Sequence, residues 1–279
     1  GAATLTSPVS TGLNKWRYSV PYGKSHLNLV TIGGVPKMFA MDSAGWKRYT
    51  AVDTNKIIYP HTGSWVGKII VIKPAEWVIE KVLVTADNGS QITFQRMFDL
   101  VNGSAAPLTQ TKSNYGFFLS NDTSYLDVQD EIVWRDATKH LYIYSTTTPS
   151  NVVTTNLDTL VDVGGRQNVT IKNLRLRYGG LYGIYATLAN NLLVDSCDTE
   201  YFGAQSFGAY RLANSTISNN TVDQCLQTGI YIQSVSSPYI NVSVLNNSVT
   251  NVGLIYGQGS FNQNPDYSGM GVSAFTGLI

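Results

Sequence analysis

Glu200 and Asp223 lie 23 residues apart, Arg177 precedes Glu200 by the same interval, and Asp198 stands two positions before Glu200. Carboxylates repeated at a fixed interval can be stacked by a repeating fold. Two of them about 5 to 5.5 Å apart are what a retaining glycosidase uses. Like charges that close raise one pKa, so a single residue type supplies both acid and base. The competing reading is a solvated charge ladder in which Arg177 neutralises Glu200. A second set, Tyr185, Tyr210 and Tyr231, holds the third place in the words GIYA, GAYR and GIYI. Stacked rings of this kind form a flat apolar face with polar tips, which suits sugar rings or serves packing alone. Arg211, next to Tyr210, can reach over that platform or cap a rung.

Such columns need an element that brings residues 23 apart into register. Aligned on Asn168, Asn191, Asn214 and Asn241, the segments NVTIKNLRLR, NLLVDSCDTE, NSTISNNTVD and NVSVLNNSVT recur at intervals of 23, 23 and 27. Short β runs with Asn and Gly at this period predict a solenoid. The leucine-rich signature is absent and no helical segment fits in the unit, so a right-handed parallel β-helix is expected. Strand alternation turns Val169 and Ile171, Leu192 and Val194, Ser215 and Ile217, and Val242 and Val244 inward. After a break at KN, DS, NN and NN, the inward positions are Leu174 and Leu176, Cys197 and Thr199, Asn220 and Val222, and Asn247 and Val249. Asn220 and Asn247 then stack, where side-chain amides can hydrogen-bond along the axis. The outward set is Arg175, Asp198, Thr221 and Ser248, then Arg177, Glu200, Asp223 and Thr250.

Two regions follow from the texture: a non-periodic β-rich module over residues 1–160, with all five Trp and all three His, and β-helix coils over 161–279. Turn signals such as DNGS and TTTPS separate short alternating runs in the module. The fold class is therefore all-β. The excursion NVGLIYGQGSFNQNPDYSGMGVSA interrupts the fourth unit, and Asp266 and Tyr267 in it are candidate ligand contacts because such excursions line binding faces. His26, His61 and His140 have no metal-like spacing, and no metal or cofactor is assigned.

Charged residues make up 13% of the chain, roughly half the usual share. With 19 basic and 18 acidic residues the net charge is +1, so no long-range field draws the chain to nucleic acid or an anionic membrane. No apolar run of membrane-spanning length occurs. The opening GAATLTSPVS lacks the charged and apolar regions of a signal peptide. Cys197 and Cys225 are read as small buried thiols. The tripeptides NGS, NDT, NVT, NST, NNT, NVS and NNS are formal glycosylation sequons, which Asn- and Thr-rich rungs generate automatically.

Three stretches resemble secreted right-handed β-helix proteins of bacterial polysaccharide breakdown, a group that includes glycoside hydrolases and pectin-lyase-like polysaccharide lyases. They are GFFLSNDTSYLDVQDEIVWRDATKHLYIYS, LNLVTIGGVPKMFAMDSAGW and GLIYGQGSFNQNPDYSGMGVS. The second departs from the group where it reads AMDSAGW, and the third where Pro265-Asp266 replaces a Gly-Asp pair. The resemblance implies secretion or cell-surface display, a polysaccharide or oligosaccharide partner, and further coils beyond Ile279.

Three functions are weighed. The first is hydrolysis of glycosidic bonds, with Glu200 and Asp223 as acid and base beside Asp198 and with Arg177, Tyr185, Tyr210, Arg211, Tyr231, Asp266 and Tyr267 around the substrate. The second is a noncatalytic glycan-binding module or adhesin built on the tyrosines. In the third, a polysaccharide lyase, Arg177 or Arg211 would neutralise a uronate while a base removes the proton α to it. A structural spacer remains if none of these residues matters.

Overall fold

The structure is a computed structural model that describes residues 1–21, 27–42, 45–75, 78–96, 111–233, 240–255, 258 and 270–273. Its regular elements are strands and two single-turn 3-10 helices, Thr123–Tyr125 and Asp136–Thr138. Among the described residues no helix is long and apolar enough to cross a membrane.

From Leu157 onward the strands pair in parallel and wind into coils with three faces. An asparagine face stacks Gln167–Lys172, Asn190–Asp195, Ala213–Ser218 and Ile240–Leu245. A charged face stacks the first part of Arg175–Thr187 with Asp198–Phe202, Thr221–Cys225 and Ser248–Val249. A tyrosine face stacks Leu157–Asp162, the second part of Arg175–Thr187, Gln205–Tyr210, Ile230–Gln233 and Met270–Ser273. This is the β-helix that the repeat predicts.

The corners explain the repeated asparagines. Asn168, Asn191, Asn214 and Asn241 have φ of 55°, 56°, 46° and 53°, and Asn173, Ser196, Asn219 and Asn246 have φ of 56°, 54°, 56° and 53°. A left-handed residue turns the chain without lengthening the corner, and Asn tolerates that conformation better than most L residues. The amides then bond from coil to coil: Asn191 Nδ2 donates to Asn168 Oδ1 at 2.7 Å, and Asn241 Nδ2 donates to Asn214 Oδ1 at 3.0 Å. The sequon asparagines Asn214, Asn219, Asn241 and Asn246 each donate Nδ2 to a neighbouring coil. In this chain those tripeptides are the material of the ladders. Of the two NGS sequons, that at Asn88 forms a turn in which Oδ1 accepts the Ser90 and Gln91 N–H groups, and that at Asn102 lies outside the described residues.

Inside, Ile171, Leu192, Val194, Cys197, Ile217, Val222 and Val242 are buried in one continuous core. Asn220 is among the buried polar residues of the coils, and its side chain is hydrogen-bonded at both ends. Its Oδ1 accepts the Cys197 N–H at 2.9 Å, while its Nδ2 donates to Val194 O at 3.2 Å and to Asn247 Oδ1 at 2.9 Å. Both thiols are buried, and burial pushes Cys225 up to about 12. One inward position is corrected: Leu174 is 42% exposed. It belongs to the coil whose asparagine-face strand pairs on one side only, so no earlier rung covers it.

The first half packs three antiparallel sheets, the largest of seven strands, around cores centred on Ile70, Ile72, Val82 and Phe117 and on Tyr18, Ile132, Leu141 and Ile143. In the larger core His61 stacks on Trp65 at 3.8 Å and meets Asp87 through Nε2 at 2.9 Å. This module abuts the coils through Leu29, Met38, Tyr178, Tyr201, Leu226 and Ile255. Gln258, 1% exposed, fastens the two: Oε1 accepts Phe39 N–H at 2.9 Å, and Nε2 donates to Lys37 O at 2.7 Å and Asn28 O at 3.1 Å.

Candidate functional site

On the charged face the register is Arg175↔Asp198↔Thr221↔Ser248 in one column and Arg177↔Glu200↔Asp223 in the next. Adjacent strands are about 4.8 Å apart, so the Glu200 and Asp223 backbones are neighbours at that spacing. Glu200 is the less exposed of the first acidic pair, with 16% of its side chain accessible against 49% for Asp198. Its Oε1 is ion-paired with the Arg177 guanidinium and lies 3.5 Å from Arg175, while Arg175 Nε meets Asp198 at 3.0 Å. Asp223 is held differently. Its Oδ1 accepts the Thr250 hydroxyl at 2.9 Å and Asn251 Nδ2 at 2.7 Å, both from the following coil. Among the described residues these contacts engage Glu200 through Oε1 and Asp223 through Oδ1.

The tyrosine face differs from the expected flat stack. Tyr185 and Tyr231 share a column, but the residue between them is Gly208; Tyr210 is two positions further along and pairs with Thr187 and Gln233. The word GAYR is thus displaced by two from GIYA and GIYI. The rings still meet, because Gly208 leaves room: a Cβ there would lie 2.8 Å from the Tyr182 ring. Tyr185 and Tyr210 are 5.9 Å apart at 53°, and Tyr210 and Tyr231 are 6.0 Å apart at 63°. Tyr182 packs on Tyr185 at 4.9 Å and completes the cluster. Burial, with the neighbouring Tyr182 and Tyr231, raises the Tyr210 phenol far above its ordinary value. Four tilted rings make a ridged surface.

Arg211 forms a corner with φ of 59°, and its N–H donates to Gln233 O at 3.1 Å. Asp266 and Tyr267 lie outside the described residues, as does His26.

The family model described as "Right handed beta helix region" matches residues 110–265. The chain belongs to that family. Among solved structures, this right-handed β-helix is similar to a protein titled "Glycoside hydrolase", with a TM-score of 0.55 and 12% identity over 100% of this chain and 80% of the other. The catalytic domain of a GH87 alpha-1,3-glucanase in complex with tetrasaccharides aligns at a TM-score of 0.24 and 9% identity, covering 96% of this chain and 68% of that one. The tailspike protein gp49 from Pseudomonas phage LKA1 aligns at 0.24 and 11%, covering 77% and 35%. The likeness to the first of these concerns the fold. Comparison with curated proteins gives no match.

Sequence reasoning overlooked one feature beside the carboxylates. Tyr178 and Tyr201, each directly after a charged-face strand residue, stack at 4.7 Å and 11°. They occupy the third corner of successive coils with φ of 62° and 65°, where the next two coils carry Gln224 and Asn251. A bulky residue is uncommon there and strained by roughly 1–3 kcal/mol. The 23-residue spacing of Tyr178 and Tyr201 was the available signal.

Proposed function

We propose that this right-handed β-helix protein is a secreted or cell-surface carbohydrate-active enzyme that hydrolyses glycosidic bonds in a polysaccharide. The carrying observation is that Glu200 and Asp223 stand in register on adjacent rungs, Glu200 held by Arg177 and Asp223 by Thr250 and Asn251. Hydrolysis needs a proton on the leaving oxygen and a carboxylate facing the positive charge that develops on the ring. In this reading Glu200 and Asp223 supply the acid and the base, with Asp198 and Arg177 setting the position of Glu200. Tyr185, Tyr210 and Tyr231 lie on the next face round the coil and contact the extended chain there, with Arg211 at their edge. Asp266 and Tyr267 keep their place as further substrate contacts.

The tilted tyrosine cluster by itself supports a second reading, a noncatalytic glycan-binding surface. A polysaccharide panel separates the two when the same sample is read for reducing-end release and for retention in glycan-containing native gels. Release that is lost in Glu200→Gln, with retention kept, is the result expected of the enzyme. Retention without release, lost in Tyr210→Ala, is the result expected of the binding module.

A further inference from the structure

Tyr178 and Tyr201 do more than fill a corner. Their rings stack one coil apart beside the Arg177–Glu200–Asp223 column, and Asp223 is close enough to Tyr201 to act on its phenol electrostatically. Neither hydroxyl makes a hydrogen bond among the described residues. Both rings pack on one side against Leu29, Met38, Leu226 and Ile255, so their apolar parts are fixed. The Tyr201 hydroxyl points toward the turn between Val30–Ile32 and Val35–Pro36 in the module. A Cβ on Gly34 would lie 3.4 Å from it, and φ at Gly34 is +80°. The positive φ is what favours glycine there, and the turn brings Gly34 into contact distance of the hydroxyl.

A stack needed only for packing would be served by phenylalanine, and a corner needed only for turning is served by Asn251 two coils on. What neither alternative supplies is a pair of rigid hydroxyl groups at one-coil spacing next to two carboxylates. We propose that Tyr178 and Tyr201, rimmed by the Gly33–Gly34 turn, form a subsite that binds hydroxyl groups of a sugar ring and positions it against Glu200 and Asp223. The ligand class is a pyranose or furanose unit within a polysaccharide, recognised by its hydroxyls. The proposal rests on the carbohydrate reading above and places the module, as well as the coils, at the site.

The test uses Tyr201→Phe and Tyr178→Phe, which keep ring, stack and packing and remove one oxygen each. Tyr201→Asn, with the residue found at the same corner in the fourth coil, removes the ring and relieves the backbone. The probes are dextran, laminarin, xylan, polygalacturonate and alginate. For each protein, retention in the glycan gel, KM and kcat on the hydrolysed glycan and Tm are measured. Each Phe variant is expected to keep the parent Tm and kcat while KM and retention weaken about tenfold, the cost of one lost hydrogen bond to a ligand. Tyr201→Asn is expected to weaken retention at least as much without losing Tm.

Unchanged KM and retention in both Phe variants would overturn the subsite and leave the rings as packing. If Glu200→Gln still releases reducing ends while Tyr201→Phe weakens retention, the carboxylate assignment fails and the subsite stands. A parent protein that neither retains nor cleaves any of the five glycans overturns both.

Discussion

Glu200 and Asp223 are direct partners across two parallel rungs of the charged face, and each is anchored from a different side, Glu200 by arginines of the preceding coil and Asp223 by Thr250 and Asn251 of the following one. Four successive coils therefore build and anchor the pair. A solenoid imposes the spacing of its columns, but it does not choose which residues anchor them. Opposed anchors hold two like charges in fixed orientation where free side chains would swing apart.

That arrangement predicts a sharp separation of binding from turnover. Glu200→Gln and Asp223→Asn keep the shape of each side chain and remove its charge or proton, so each should lower kcat by about 10²- to 10⁴-fold with polysaccharide retention kept. Single-turnover kinetics with a reducing-end readout measures this. A loss of less than tenfold in both variants would move the chemistry away from this face.

The parallel coils were legible in the sequence because a corner at positive φ narrows the choice of residue, so Asn recurs at Asn168, Asn191, Asn214 and Asn241 whatever the strand between them carries. The Glu200–Asp223 register followed from that spacing. The tyrosine register did not, because the words starting at Gly183, Gly208 and Gly229 are not spaced like the coils, whose paired positions Tyr185, Gly208 and Tyr231 keep the regular repeat. Tyr185 and Tyr210 look like equivalent third residues, yet Gly208 takes the equivalent place and Tyr210 leans into the gap. Leu174 misled for a different reason: alternation assigns a direction, but burial needs a neighbouring rung. The Tyr178–Tyr201 stack stayed hidden because no propensity rule expects tyrosine at a left-handed corner.

The interior asparagine ladder should be a major source of coil stability. Asn220→Ala would leave the Cys197 N–H and Val194 O without their side-chain partners and break the contact with Asn247. Each buried group left unpaired costs about 1–3 kcal/mol, so a loss of roughly 2–5 kcal/mol is expected from urea unfolding. Asn214→Ala, which removes one exposed rung of the outer ladder, should cost under about 1.5 kcal/mol. Equal losses in the two variants would mean that burial is not what gives the inner ladder its weight.

Acid should weaken the fold through two carboxylates held at about 2. Asp195 is lowered by the Asn219 and Ser218 side chains, with Lys172 3.3 Å away. At Asp122 burial pushes upward, but the Lys68 ammonium and the Ser124 donors outweigh it. An unfolded Asp titrates near about 3.9, so the folded chain binds fewer protons between that value and about 2. Their contribution is complete above about pH 4 and is lost as the pH falls through 2. Urea unfolding from pH 2 to 6 should show a shallower acid limb in Asp195→Asn and Asp122→Asn; a limb as steep as the parent's would exclude these two groups as its source.

Lys81 predicts the opposite limb. Burial pulls its ammonium down to about 7, where its Nζ donates to Gln258 O at 3.2 Å and lies 5.0 Å from the Phe39 ring. In the unfolded chain a lysine holds its proton until about 10.4. Between those values the unfolded state carries more protons than the folded one, so stability rises as the pH increases from about 7 to 10 and is independent of this group below 7. Lys81→Met keeps most of the side-chain volume and has no proton to lose. The variant should unfold with a flat pH dependence over that window and, because no buried charge must be desolvated, should be no less stable than the parent at pH 7. If the parent shows no rise between pH 7 and 10, or if Lys81→Met retains it, then Lys81 is solvated enough to keep its ordinary affinity for the proton, and the contact between the module and Gln258 is looser than these distances indicate.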